Sequence, residues 1–418
     1  MPPFKGSPVD APVGAAPPGA AEDYGQYGST ESVKSELAIF DGPSYQVTHR
    51  EGKWNEYHPI NLYEGTSGCN IIFKLTQSPG WYFDFNDSYM IVYASIETDA
   101  GVAVADELVA FENFGLATLF RDVSFSTQNQ TKLEGENQHY HYRAYLYALL
   151  NAPYSAKKYQ LSVSGWEKDT PGKFDSTYVE PGKDVEFKSA THGNSGFHIR
   201  RGWTKAGKAM EFCGQVFLDT WLQKQYFLDG QDFNLVFKLN PPALALHANV
   251  DTAKYKINIQ KMFLYLRRVA VSPSVLIGHA KGLQKHNFVL PYNGHKVFHT
   301  LIKAGGRQIS AEDFLGGVFP KAVIVALVDH DAYCGKYSFN PYNFQHFHCS
   351  ECALIINGDS YPSTPYKPDF KKKICAREYY NMFLQLGKPG IFNDDNGMRL
   401  EDWVNGNTIY TFNRYPLL

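Results

Sequence analysis

One arrangement of elements is written twice in this chain, and no other feature limits the fold as much. In "YRAYLYALLN", the residues Tyr142, Tyr145, Leu146 and Leu149 follow the spacing of one buried helical face. In "AREYYNMFLQLG", Ala376, Tyr379, Tyr380 and Phe383 repeat that spacing, and Gly387 supplies a stop signal. Each helix carries Arg-x-Tyr at the matching place, Arg143/Tyr145 and Arg377/Tyr379. Upstream of each lies a strand with an Asn-containing turn, "SFSTQNQTKL" or "ALIINGDSYP". Before that comes an apolar strand, "YMIVYAS" or "AVIVALV". Three elements recurring in one order imply a tandem duplication of a β-rich unit, with its junction near "RRVAVSPSV" (267–275).

The rest of the chain supports a strand reading. Short apolar runs alternate with Gly, Pro, Asn and Asp, and 28 Tyr and 29 Phe suit pleated, half-buried surfaces. The pattern predicts strands over 69–77, 88–98, 119–128, 210–218, 232–240 and 255–271 in the first copy. In the second it predicts 295–304, 321–330, 344–356 and 407–415. Residues 1–33, rich in Pro, Gly and Ala, read as a flexible arm. The expected divisions are then 34–272, with a polar insertion at 162–209, and 273–418. After its helix the second copy has only "NTIYTFNRY", so it is expected to lack its last strands and to leave an open sheet edge.

Composition narrows the function. Forty Lys and Arg against 42 Asp and Glu give a net charge of -2, without the basic excess that neutralises phosphates, so direct sequence-specific nucleic-acid binding is not expected. The run Lys371–Lys373 reads as a solvated loop. Six cysteines in 418 residues are too few for a disulfide scaffold and point to a reduced folding compartment. No signal-peptide core and no membrane-length apolar stretch is present.

The candidate chemistry concentrates in "FNPYNFQHFHCSECALIING" (339–358), which brings His346, His348, Cys349 and Cys352 within seven residues. Read as a regular strand, it puts Cys349 on the face opposite the other three, so the four cannot surround one tetrahedral ion. The expectation is buried cysteines beside partly exposed histidines, with no metal site and no cofactor. Phosphate-loop, nucleophile-elbow and metalloprotease motifs are missing from the sequence. "NDDNGMRLED" lacks the features of a calcium-binding hand, and Asp331 reads as a turn former. No catalytic residue is expected, and the chain is not read as an enzyme.

Five segments, "KWNEYHPI", "LDGQDFNLVFKL", "VAVSPSVLIGHAKGL", "FPKAVIVALVDHDAYCGKYSFNPYNFQHF" and "INGDSYPSTPYKPDF", resemble the major capsid proteins of Polinton/Maverick elements and adintoviruses. The likeness runs from about residue 35 onward and is most specific over 319–347. It implies an all-β double jelly-roll: two antiparallel sandwiches standing side by side. Such a chain is a structural protein of the virion, assembled inside the host cell. Homotrimers form pseudo-hexagonal capsomers of an icosahedral shell around a dsDNA genome, next to a minor single jelly-roll vertex protein. Members finish the second sandwich with strands beyond the position of Leu418. Two other readings remain: a two-domain jelly-roll lectin, whose sugars would stack on exposed aromatics, and a cupin-type enzyme. The cupin would need His139/His141 or His346/His348 inside a barrel.

Overall fold

The computed structural model describes residues 48–61, 70–104, 108–135, 139–178, 193–303, 305–306, 320–356, 358–388 and 395–413. The arm at 1–33 lies outside them, as do parts of the 162–209 segment and of the acidic loop before Arg399. Residues from Thr48 onward pack as one compact unit.

Before residue 272 the strands are β1 (His49–Tyr57), β2 (Asn70–Leu75), β3 (Trp81–Thr98), β4 (Val109–Phe111) and β5 (Phe120–Thr127). They continue as β6 (Lys132–Glu134), β7 (Met210–Gly214), β8 (Phe233–Leu239), β9 (Leu246–Ala248) and β10 (Tyr255–Val271). One sheet has the order β1-β10-β3-β7 and the other β2-β8-β5-β6, with every pairing antiparallel. β4 and β9 form a separate short pair. Along the chain, strands alternate between the sheets except for the β5–β6 hairpin, so each sheet interleaves strands from the beginning and end of this half. That is the strand order of a jelly roll. Alternation explains which faces meet: β8 shows Phe233, Leu235, Phe237 and Leu239 inward and Lys238 outward. Between the sheets, Phe85 stacks on Trp221 at 4.4 Å and meets Phe125 edge-on at 5.3 Å.

Beyond residue 272 come β11 (Ala322–Ala326), β12 (Cys352–Ile356), β13 (Asp359–Tyr366) and β14 (Ile409–Asn413). β11 pairs with β14 and β12 with β13, both antiparallel. The first half holds the same pairs, β3 with β7 and β5 with β6. Helix α1 (Tyr140–Asn151) links β6 to β7; α2 (Ser195–Thr204) and α3 (Pro273–Leu283) follow. Helix α4 (Ala376–Gln385) then links β13 to β14, and α5 (Leu400–Val404) precedes β14. The two Arg-x-Tyr motifs repeat a structural role. Arg143 of α1 reaches back to Glu134 in β6, and Arg377 of α4 donates to the Thr364 and Pro365 carbonyls of β13 at 2.6 and 3.0 Å. Gly387, at φ 73°, ends α4: its N–H meets the Leu384 carbonyl and Lys388 N–H the Phe383 carbonyl, a Schellman cap.

The protein is therefore an all-β jelly-roll fold. One eight-stranded sandwich is followed by counterpart strand pairs of a second, which among the described residues consists of two two-stranded pieces. Several local expectations differ. Residues 295–303 form no strand, although their apolar spacing suits one: His295 is held by Asp219, and the His299 ring lies 4.7 Å from that of Tyr333. These contacts fix the segment as a strap across the first half. The predicted strand at 344–356 begins only at Cys352, because Phe347 and His348 adopt left-handed φ of 43° and 52°. In α4 the buried positions are Glu378 and Met382, and Tyr380 is exposed. More helices are present than the two read from the sequence.

Candidate functional site

The most organised polar region is the joint where residues 337–344 enter the first half. Tyr342 is fully buried and stacks on Tyr145 of α1 at 4.2 Å, with Trp166 on the other side of that contact, 5.2 Å from Tyr145. A hydrogen bond of 3.0 Å joins the Tyr342 hydroxyl to His141 Nδ1. Burial pushes the Tyr342 phenol well up and the His141 imidazole down to about 3, so both are neutral at ordinary pH.

Beside this stack lies a buried ion pair. Arg200 of α2, 1% exposed, donates to Asp169 at 2.9 Å and to the Phe111 and Glu167 carbonyls at 2.9 and 3.0 Å. Asp169 also accepts from Asn194 at 2.8 Å, while Asn194 caps the start of α2. The second half completes the set. Asn340 donates its side chain to Asp169 at 3.5 Å and its backbone N–H to Asp175 at 2.7 Å, and Asn343 donates to Asp175 at 2.8 Å. Two cations extend the joint: Lys168 pairs with Asp402 at 2.7 Å, and buried Lys157 donates to the Asn396 carbonyl at 2.6 Å. Burial lowers the Lys157 ammonium to about 7. Glu112, raised by burial, lies 3.4 Å from His247 in the same interior.

Among the described residues this arrangement positions backbone and seals a core, with Arg200 and Asp169 both buried. Sequence reading missed it because Trp166, Asp169 and Arg200 fall in the polar 162–209 segment. Its hidden signals were a Trp, a buried Phe197 and the Asn194 cap of α2.

The His/Cys stretch is differently built from the regular strand assumed for it. Its turn brings the His346 and His348 rings to 4.7 Å, and His346 stacks on Phe370 at 4.0 Å. Cys349 and Cys352 are half-exposed, so neither is a buried core residue as expected. Among the described residues no three His, Cys, Asp or Glu side chains converge on a point suited to an ion. His139 and His141 part company: His139 approaches Tyr333 at 3.2 Å, and His141 faces Tyr342. Asp331 sits in the first turn of a short helix, where the Asp329 carboxylate caps it, and pairs with exposed Lys336. Lys371–Lys373 are exposed beside the Asp369 turn.

Several apolar side chains beyond residue 272 are exposed: Ile277 and Leu283 of α3, Val289, Leu301 of the strap, Ile324 of β11 and Ile355 of β12. Among the described residues no helix is long and apolar enough to cross a membrane.

No protein-family model matches this chain. An uncharacterized protein of Caenorhabditis elegans is 20% identical over 214 residues, 51% of this chain and 50% of that protein. The chain thus spans about half the length of the curated relative it matches. Among solved structures it is similar to a chain of the Sputnik virophage, seen by cryo-EM, at 13% identity and TM-score 0.40, covering 59% of this chain and 53% of that one. The Faustovirus major capsid protein matches at 11% and TM-score 0.35 over 59% and 58%. The mavirus major capsid protein matches at 10% and 0.29 over 78% and 56%. The fold assignment above rests on strand order in this chain alone.

Proposed function

We propose that the chain is the major capsid protein of a dsDNA virus or virus-like element of the Polinton/Maverick and adintovirus kind. It is a structural building block that performs no catalysis. The observation that carries this reading is the repeated pairing of strands within one polypeptide, β3·β7 with β5·β6 and again β11·β14 with β12·β13. Two fused sandwiches, divided near residue 272, let three chains approximate sixfold shape under threefold symmetry. The buried joint supports the role, since the Tyr145–Tyr342 stack and the Lys168–Asp402 pair both run from one half to the other and resist sliding between them. Exposed apolar side chains such as Ile277 of α3, Ile324 of β11 and Ile355 of β12 suit contact with neighbouring copies. The minor vertex protein would be a further partner in the virion, and the 1–33 arm would contact adjacent capsomers.

A lectin has less support. Its sugars need free aromatic platforms, whereas Trp166, Trp221 and Trp403 are buried and the exposed Tyr154 and Tyr159 rings lie 6.0 and 5.4 Å from the Lys158 ammonium. Exposed Trp54 is covered by the Arg267 guanidinium at 5.5 Å. Light scattering on the purified chain tests the proposal. A mass of three chains supports it, and a monomer that binds on a glycan array replaces it with the lectin.

A further inference from the structure

The duplication supplies a template for a sheet edge that the second half leaves unused. In the first half β3 lies between two strands, β7 on one side and β10 on the other. Its counterpart β11 has β14 on one side, and among the described residues nothing pairs with the other. Apart from the ladder to β14, the backbone of Ala322–Ala326 makes no hydrogen bond among the described residues. The N–H and C=O groups on that side are ready to take a further strand. Side chains favour it too: Val323 and Val325 pack on the core, while Ile324, 40% exposed, stands outward beside exposed Ala322. Two properties name the occupant. Ala322-Val323-Ile324-Val325-Ala326 reads the same in both directions. Antiparallel pairing with an identical strand, about a two-fold axis at Ile324, therefore sets Val323 against Val325, Ala322 against Ala326 and one Ile324 against the other. Charge fixes the direction. Exposed Lys321 precedes the strand and the Asp329 carboxylate follows it. Antiparallel pairing puts each Lys321 diagonally across from Asp329 of the second copy, whereas parallel pairing would set like charges side by side. Pro320, which has no N–H, ends the ladder at that side.

We propose that β11 is a self-association edge, at which two copies of this chain pair β11 with β11 antiparallel, centred on Ile324. The product is one continuous sheet of order β14-β11-β11-β14. Both copies use the same edge, so the contact closes as a pair and leaves no side of β11 open to a third strand. The inference is independent of the capsid reading: a chain that forms no trimer can still pair here, and a trimer can form without this contact.

Cysteine substitutions in the full chain read the register. Opposite residues of an antiparallel pair have Cα atoms about 4.5–5.5 Å apart, within the roughly 7 Å that a disulfide spans. Under mild oxidation Ile324→Cys should therefore give a covalent dimer bonded from 324 to 324. Mass spectrometry maps the bond, and the wild-type chain sets the background from its own cysteines. In Ala322→Cys the two copies of residue 322 lie about 14 Å apart, so its dimer should form about tenfold more slowly. Mixed with Ala326→Cys, it should link 322 to 326 at the fast rate. Equal rates for Ile324→Cys and Ala322→Cys would overturn the proposal. So would a bond from either position to another segment of the same chain, because the edge would then be filled from within. Hydrogen exchange on the unsubstituted chain decides the matter where a variant fails to fold. The β11 amides that face away from β14 should gain protection as concentration rises about a hundredfold, and exchange indifferent to concentration refutes the pairing.

Discussion

Acid should loosen the joint through His141, and burial sets the size of the effect. The imidazole is 2% exposed, bonded to Tyr342 and packed 4.3 Å from the Tyr142 ring. Burial first, then the nearby His139 and Arg121, lower it from 6.5 to about 3. The folded chain therefore keeps a neutral ring where the unfolded chain takes up a proton. Between those two values the unfolded state binds more protons. Stability is fully present above the unfolded value and falls as pH drops through the window, until the folded ring protonates near its own value. Each pH unit inside the window costs about 1.4 kcal/mol, so the loss is about 2 kcal/mol on going from about pH 7.5 to about pH 5. Urea unfolding of wild type and His141→Gln across that range isolates the contribution. Gln cannot titrate but can still hydrogen-bond Tyr342, and all other titrating groups are common to both proteins. The account predicts that the stability advantage of wild type over the variant shrinks by about 2 kcal/mol toward acid. A difference that stays constant with pH would refute a neutral, buried His141.

Two further substitutions probe the same region. Asp169→Ala leaves the Arg200 guanidinium buried without its carboxylate and should cost about 3–5 kcal/mol in denaturant unfolding. A loss under about 1 kcal/mol would mean that the pair is wet. Tyr145→Ala and Tyr342→Ala, singly and together, should show a coupling of about 0.5–1.5 kcal/mol, because the two rings stack across the joint. Strict additivity would mean that the halves are merely adjacent.

Much of the first half was legible in the sequence because its strands alternate and are long. Strand β10, of 17 residues, was read at its observed bounds, whereas the 18-residue β3 was read only over its second part, 88–98. Helix α1 was equally plain, since its buried face matches its spacing. Legibility failed where partners far along the chain decide. Nothing in "HKVFHTLIKA" says that His295 and His299 will be satisfied by Asp219 and Tyr333 and so hold the segment as a strap. Nothing in "FQHFHCSEC" announces left-handed backbone at two residues that are not glycine. The reading of 339–358 as lacking a metal site assumed a regular strand, whereas the backbone breaks at Phe347 and His348. The 162–209 segment shows the same limit: composition marked it as polar surface, yet Trp166 and Arg200 are among the buried residues that receive the second half.

The most direct test of the central claim is electron microscopy of the purified chain. Two-dimensional class averages should show particles of three chains with a six-lobed outline, two lobes from each chain. Single or paired round particles, with one lobe per chain, would contradict a duplicated sandwich acting as a shell building block.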